Sequence, residues 1–256
     1  MKNIDYQWSN MARQAFNLDI QELTGYTFLV HGINASGKTH LLGDFLHTEQ
    51  EGGKKCKFVN VKGEDGMLTL MGMGLGNIGE TVESYDDYDQ VLDQCIREQY
   101  HALAVDSLEP LNRWVRAKLF AGSDRMPNGA AEWQELHRLM ANLMTKQRRA
   151  AKYVVCACTS DKSTDVVTGK VTITPDLPGR EARGAAGWFD FVGYLDVAIV
   201  GPGRVQRVLV MVPNNAITVR QRLPVPITDD IKLPNGQGGW LAIRTAIQQA
   251  ATRPGK

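Results

Sequence analysis

No stretch of this 256-residue chain is apolar for long enough to cross a bilayer. Its first residues, Met1-Lys2-Asn3-Ile4-Asp5-Tyr6-Gln7-Trp8, carry no apolar signal core either. A cytoplasmic protein without membrane contact is expected. Charge of one sign is also missing: 29 Lys and Arg against 28 Asp and Glu leave a net +1. The molecule is no polycation, and any nucleic-acid binding has to come from a local patch. Cys56, Cys95, Cys156 and Cys158 show no paired C-x-x-C spacing and sit in apolar or helical stretches. Buried free thiols are expected in place of zinc or a disulfide framework. No internal repeat and no linker divides the chain, and 256 residues suit one sizeable core or at most two small ones.

What is present centres on Thr27-Phe28-Leu29-Val30-His31-Gly32-Ile33-Asn34-Ala35-Ser36-Gly37-Lys38-Thr39-His40. It reads as an apolar strand, a Gly-containing turn and a helix start. Gly32, Gly37, Lys38 and Thr39 satisfy G-x-x-x-x-G-K-[ST], the phosphate-binding loop. Glycines let successive N–H groups curl into an anion nest, and the following helix points its positive end at the same place. Residues Gly32, Ile33, Asn34, Ala35, Ser36, Gly37, Lys38, Thr39 and His40 are therefore expected to hold a nucleoside triphosphate. Lys38 would reach the β- and γ-phosphates, and the Thr39 hydroxyl would ligate Mg²⁺. The Asn34-Ala35-Ser36 sequon lies inside this loop and carries no argument for a glycan.

The rest of the chain alternates strands and helices. A helix from Lys38 carries Leu41, Leu42, Phe45 and Leu46 on one face, and Gly52-Gly53 ends it. Lys57–Val61 reads as a second strand. Glu64 lies just past it, placed to orient or deprotonate a water beside the γ-phosphate. Gly74, Gly76 and Gly79 spell the dinucleotide fingerprint G-x-G-x-x-G. Residues 70–79 open no helix after a strand and lead into the acidic run Glu80, Glu83, Asp86, Asp87 and Asp89, so a flexible loop is expected. After a helix over 88–99, the apolar run 101–105 ends in Asp106, as a buried strand delivering a Mg²⁺ carboxylate requires. A long helix with Trp133, Leu136, Leu139, Met140, Leu143 and Met144 on its apolar face is expected after a break at 122–129. Lys146, Arg148, Arg149 and Lys152 suit its C-terminus and call for no other purpose.

Strand 153–159 follows, with Thr159 and Ser160 at its end as candidate γ-phosphate sensors. Residues 161–187 form a long polar connection with a small hairpin around Thr168-Gly169-Lys170, and carry Lys162, Lys170, Arg180 and Arg183. No aromatic residue interleaves these cations to make a base-stacking platform. Strands over 192–200 and 207–212 without helices between them predict an antiparallel finish to the sheet. A short amphipathic helix then runs from Trp240 through Ile247. Expected organisation is a leader (1–24), a core (25–225) and a C-terminal extension (226–256).

With these motifs in place, the chain resembles the RecA-like ATPases. Within them it is most similar to the phage nucleotide-binding proteins that include the ATP-dependent Sak-type single-strand annealing proteins. Residues 32–39, 59–66, Val105-Asp106-Ser107, Pro175-Asp176-Leu177-Pro178-Gly179-Arg180, Phe189-Asp190-Phe191-Val192-Gly193 and 219–224 carry the likeness. It implies an α/β fold: a RecA-like P-loop core whose mostly parallel sheet is flanked by helices, with antiparallel strands at the C-terminal end. It further implies ATP and Mg²⁺ as cofactors and Glu64 as the catalytic carboxylate, although this chain has Lys62-Gly63-Glu64 where relatives commonly show Asp-Thr-Glu. Residues 120–131 and 161–187 take the places of the two DNA-binding loops, so Lys162, Lys170, Arg180 and Arg183 would contact single-stranded DNA. Arg220 and Arg222 fall where a basic residue reaches a neighbouring subunit's nucleotide in a ring or filament. The function so implied is annealing or strand exchange on single-stranded DNA. The rival is a nucleotide-dependent switch or assembly ATPase acting on protein partners in replication or packaging. A small-molecule kinase is disfavoured, because no Arg-rich lid is evident.

Overall fold

Seven consecutive buried residues, Tyr26–Gly32, form strand β1, and their alternation divides the core in two. Phe28 and Val30 face one side of the sheet and Leu29 the other, as a strand covered on both faces requires. The computed structural model describes residues 25–178, 180–201, 204–223 and 225–252, without the side chains of 180–183. The expected leader 1–24, with its helical stretch from Met11 to Phe16, lies outside the described residues.

The remaining strands are β2 (Cys56–Val61), β3 (Gly79–Val82), β4 (Tyr100–Asp106), β5 (Ala151–Thr164), β6 (Val171–Pro175), β7 (Phe191–Gly201), β8 (Arg204–Val210), β9 (Arg220–Gln221) and β10 (Ile231–Leu233). They form one sheet in the order β10-β8-β7-β1-β5-β4-β2-β3, with β6 on β5 and β9 on β7. Pairs from β3 through to β7 are parallel, and β7–β8 and β8–β10 are antiparallel, which is the expected finish. Helices are α1 (Lys38–Glu49), α2 (Gly66–Gly72), α3 (Tyr85–Glu98), α4 (Leu108–Leu119), α5 (Ala130–Ala150), α6 (Arg180–Trp188) and α7 (Gly239–Thr252). One face of the sheet packs Leu42 and Phe45 of α1 with Trp240 and Ile243 of α7. The other packs Tyr88 and Leu92 of α3 with Leu111, Leu136, Met140 and Leu143 of α4 and α5.

Two expectations change. Residues 70–79 are not a flexible loop: they run from the end of α2 through a 3₁₀ turn (Gly76–Ile78) into β3, and β3 pairs with β2. Leu70 and Leu75 are buried there, and those anchors outweigh the glycines. The cations ending α5 also have partners. Lys146 Nζ lies 2.7 and 2.8 Å from Asp89 and Asp93, and Arg148 lies 3.0 Å from Asp190. Within the expected C-terminal extension, edge strand β10 and helix α7 pack on the same core, with the fully buried Trp240 ring 4.7 Å from Phe45 and 5.7 Å from Phe28.

Asp190 explains the Phe-Asp pair of the sequence. Its carboxylate accepts from Thr27 N and Thr27 Oγ1, each at 3.0 Å, and pairs with Arg148 and Arg222 at 3.0 and 3.2 Å. One buried charge thus ties β1, α5 and the segment after β9 together at the edge of the sheet remote from the phosphate loop, and its two cations offset its desolvation.

Candidate active site

Strand β1 delivers the chain into the turn 33–37, and α1 starts at Lys38. Gly37 has φ 98°, a conformation only glycine adopts without strain, and it lets the loop close directly onto the helix. Lys38 Nζ donates to the Gly32 and Ile33 carbonyls at 2.9 and 3.0 Å, folding the cation over the loop it serves. Thr39 Oγ1 donates to Asp106 Oδ2 at 2.6 Å. Asp106 closes β4, two strands from β1, and only the sheet brings it to a residue 67 positions earlier. Burial, the larger cause, and the neighbouring Glu64 charge push the Asp106 carboxyl up to about 6, against the lowering effect of the Thr39 hydrogen bond.

Glu64 is in the same place. Ser107 Oγ donates to its Oε1 at 2.8 Å, and Asn60 Nδ2 holds its backbone carbonyl at 3.1 Å. Asn60 Nδ2 must point at that carbonyl, which only accepts, so Asn60 Oδ1 turns inward. It is buried and has no partner. A Cβ on Gly66 would lie 2.8 Å from this oxygen and 2.9 Å from Asp106 Oδ2, so both acceptors face the same small gap. Two oxygens facing one gap call for a donor, and waters on a hydrated Mg²⁺ are such donors. Together with the hydroxyl of Thr39 and the carboxylate of Asp106, this all-oxygen set fits the ion.

Behind the loop, His31 is fully buried and links three segments. Its Nε2–H donates to the Thr218 carbonyl at 2.7 Å, so Nδ1 accepts from Ser160 Oγ at 2.9 Å. Burial, chiefly, and nearby Lys38 lower its pKa to about 4 against the effect of the Thr218 hydrogen bond, leaving a neutral imidazole. Thr159 N donates to Glu109 Oε1, and Thr159 Oγ1 lies 3.5 Å from Asn34 Oδ1. Both sensor candidates therefore reach the loop, Thr159 directly and Ser160 through His31.

The other expected residues lie apart. Lys162 and Lys170 are exposed on the β5–β6 hairpin, where β5 runs five residues past the level of Gly32, roughly 16 Å. Arg180 and Arg183 belong to α6, but their side chains lie outside the described residues. Arg220 donates to the Ala186 carbonyl at 2.6 Å, and Arg222 to Asp190 and the Gly187 carbonyl. Arg222 is level with Thr27 near the start of β1, and Arg220 with Leu29 in its middle, so both lie back along the strand from their own phosphate loop. In 120–131 the basic residue, Arg125, forks onto Glu132 at 2.6 and 2.9 Å and lies over Phe120.

Sequence reasoning missed several members. Ser107 directly follows Asp106 and was within reach of the motif. Asn60, Glu109 and the buried Asp44, which accepts from Gly238 N and Trp240 N at 2.9 and 2.6 Å, carry no local signal. Neither does Arg207, 171 residues from Ser36, to whose carbonyl its Nε donates at 3.0 Å. A cleft beside the loop is lined by Gly37, His40, Arg207, Leu233, Pro234 and Gly236, and His40 Nε2 lies 3.2 Å from the Gly236 carbonyl.

A family model described as an AAA domain matches residues 24–223, from the start of β1 to the end of β9. The chain belongs to this AAA-domain family. Among solved structures it is similar to a KaiC-like protein from the hyperthermophilic archaeon Pyrococcus horikoshii, with a TM-score of 0.52 at 14% identity, over 84% of this chain and 88% of that one. At that identity the likeness speaks for the fold, a KaiC- and RecA-like one. No curated protein matches the chain. Family, fold and loop together make this AAA-domain protein a P-loop ATPase in type. Among the described residues no helix is long and apolar enough to cross a membrane.

Proposed function

We propose that this AAA-domain protein hydrolyses ATP with Mg²⁺, assembles into a ring or filament, and binds single-stranded DNA to promote annealing or strand exchange of the phage recombination type, in the cytoplasm. The observation that carries the ATPase part is the 2.6 Å contact between Thr39 Oγ1 and Asp106 Oδ2, with Glu64 held beside it by Ser107 and Asn60. Thr39 and Asp106 would hold Mg²⁺, which when bound neutralises charge on the β- and γ-phosphates. Lys38 would exchange its two carbonyl partners for phosphate oxygens, and Glu64 would orient the attacking water. Neutral His31 would keep the loop in register with the base of the β5–β6 hairpin.

The DNA part is supported by that hairpin, which carries Lys162 and Lys170 outward from the phosphate edge and whose base, Ser160, bonds His31. Arg180 and Arg183 belong to the same proposed surface, and Arg220 or Arg222 would serve a neighbour's nucleotide in the assembly. The test is ATP hydrolysis with and without single-stranded DNA, wild type beside Lys38→Ala. Losing one such preorganised contact costs on the order of 10²–10³ in rate. DNA-stimulated hydrolysis that vanishes in the variant is the expected result, and normal turnover by Lys38→Ala would sink the assignment.

One observation favours the second reading, an ATPase switch acting on protein partners. Val166 and Val167 at the β5–β6 tip are 99% and 94% exposed, and Ile199 at the end of β7 is 83% exposed. Such apolar tips suit a protein surface better than a phosphate backbone. Hydrolysis indifferent to DNA would favour it.

A further inference from the structure

Arg207 has no role in the loop motif, yet it lies against the motif's backbone. Strand β8 carries it beside Val197 of β7, and its Nε donates to the Ser36 carbonyl at 3.0 Å. A Cβ on Gly37 would lie 2.7 Å from that nitrogen and 3.4 Å from Cζ, so the guanidinium rests on the residue whose N–H opens the nest. The side chain is half-buried, and among the described residues no carboxylate pairs with it. It lies at the positive N-terminal end of α1, and the one carboxylate lining the same cleft, Asp44, already accepts from Gly238 N and Trp240 N. A cation half out of water, without an ion-pair partner and at the positive end of a helix, is unfavourable unless an anion arrives. The loop shows the same vacancy of partners twice more. Lys38 rests on the loop's own carbonyls, and Ser36 Oγ, on a residue 1% exposed, has no partner.

We propose that Arg207 is a second cation of the phosphate site, acting within its own chain, and that it contacts the α- and β-phosphates of a bound nucleoside di- or triphosphate. This rests on the nucleotide reading above. The sheet order gives the choice of phosphates. Asp106 ends β4, two strands from β1 on one side, and Arg207 sits on β8, two strands away on the other. Thr39 and Asp106 would hold Mg²⁺, which would supply charge neutralisation to the terminal phosphates on that side. The Arg207 side is therefore the end nearer the nucleoside, beside His40 and the cleft residues Pro234 and Gly236.

The test is calorimetric binding of ADP and of a non-hydrolysable ATP analogue to wild type, Arg207→Gln, Arg207→Lys and Lys38→Ala. Glutamine keeps an N–H for the Ser36 carbonyl and removes the charge. The expected result is a loss of roughly 10–100-fold for both ligands in Arg207→Gln, with partial recovery in Arg207→Lys. Thermal unfolding of ligand-free Arg207→Gln should match or exceed wild type, since an unpaired charge is removed, whereas a purely structural guanidinium would make it fall. Wild-type affinity in Arg207→Gln beside weakened binding in Lys38→Ala overturns the Arg207 assignment alone. A loss confined to the triphosphate analogue overturns the choice of phosphates. Undiminished binding in both Arg207→Gln and Lys38→Ala overturns the nucleotide reading beneath it.

Discussion

Replacing Asp106 with asparagine should stabilise the ligand-free protein while abolishing its hydrolysis. The carboxyl titrates at about 6 instead of its ordinary 3.8, because burial and Glu64 both disfavour its charge. At 1.36 kcal/mol per pKa unit, ionised Asp106 costs the empty fold about 3 kcal/mol at neutral pH. An amide at this position removes that charge, donates to both Thr39 Oγ1 and the orphan Asn60 Oδ1, and gives up one charge-assisted hydrogen bond. The net expected gain is about 2 kcal/mol, or roughly 4–8 °C in Tm for a chain of this size. The pH dependence has a definite sign. A carboxyl whose folded pKa is raised lends its stability below the unfolded value, and that stability is lost as pH rises from about 4 to about 6. The advantage of Asp106→Asn should therefore be small near pH 4 and complete above pH 6.5. The assay is thermal unfolding without nucleotide or Mg²⁺ at several pH values, beside ATP hydrolysis at pH 7.5. A variant less stable than wild type at pH 7.5, or a gain that does not change with pH, would refute the reasoning.

Gly66→Ala brings a Cβ to within 2.9 Å of both Asn60 Oδ1 and Asp106 Oδ2, and should weaken Mg²⁺-dependent nucleotide binding at least 10-fold. A Mg²⁺ titration that overlays wild type would contradict it. His31→Leu leaves Ser160 and the Thr218 carbonyl without their buried partner and should cost about 2–4 kcal/mol in urea unfolding. Because the buried ring stays neutral down to about pH 4 while an unfolded imidazole protonates near 6.5, wild-type stability should fall as pH drops from about 6.5 toward 4, and that part of the slope should disappear in His31→Leu. Asp190→Ala strands Arg148, Arg222 and the Thr27 amide together, for a cost of about 3–5 kcal/mol, and equilibrium denaturation showing less than 1 kcal/mol would remove Asp190 as the tie between these elements.

The order of strands and helices was legible because each parallel strand is an uninterrupted apolar run and each flanking helix repeats its apolar residues every three or four positions. The phosphate loop and Asp106 were legible for a different reason: their chemistry needs particular residue types at fixed spacing. Residues 70–79 misled because four glycines leading into a run of acids look like a loop, while the two leucines that pin the segment are anonymous in sequence. The roles of His31 and Arg207 escaped because each acts through a neighbour remote in sequence, and no local pattern records which strand will lie beside which. Arg148 illustrates the point from the other side. It looked like an ordinary helix-ending cation, and only the arrival of Asp190 gives it a partner.

Asp44 sits in the second turn of the helix that receives the phosphates, yet both its oxygens serve the far end of the chain, capping the start of α7 through Gly238 N and Trp240 N. Trp240 then fills the space between Phe28 and Phe45, directly under the strand and helix that frame the loop. A fragment cut at residue 223, where the family match ends, would retain every motif and still lack the wedge that holds strand and helix apart. It would leave a buried carboxylate with nothing to bond and an aromatic socket open to water. The hydrophobic core of this chain is therefore built from more of it than the family model matches.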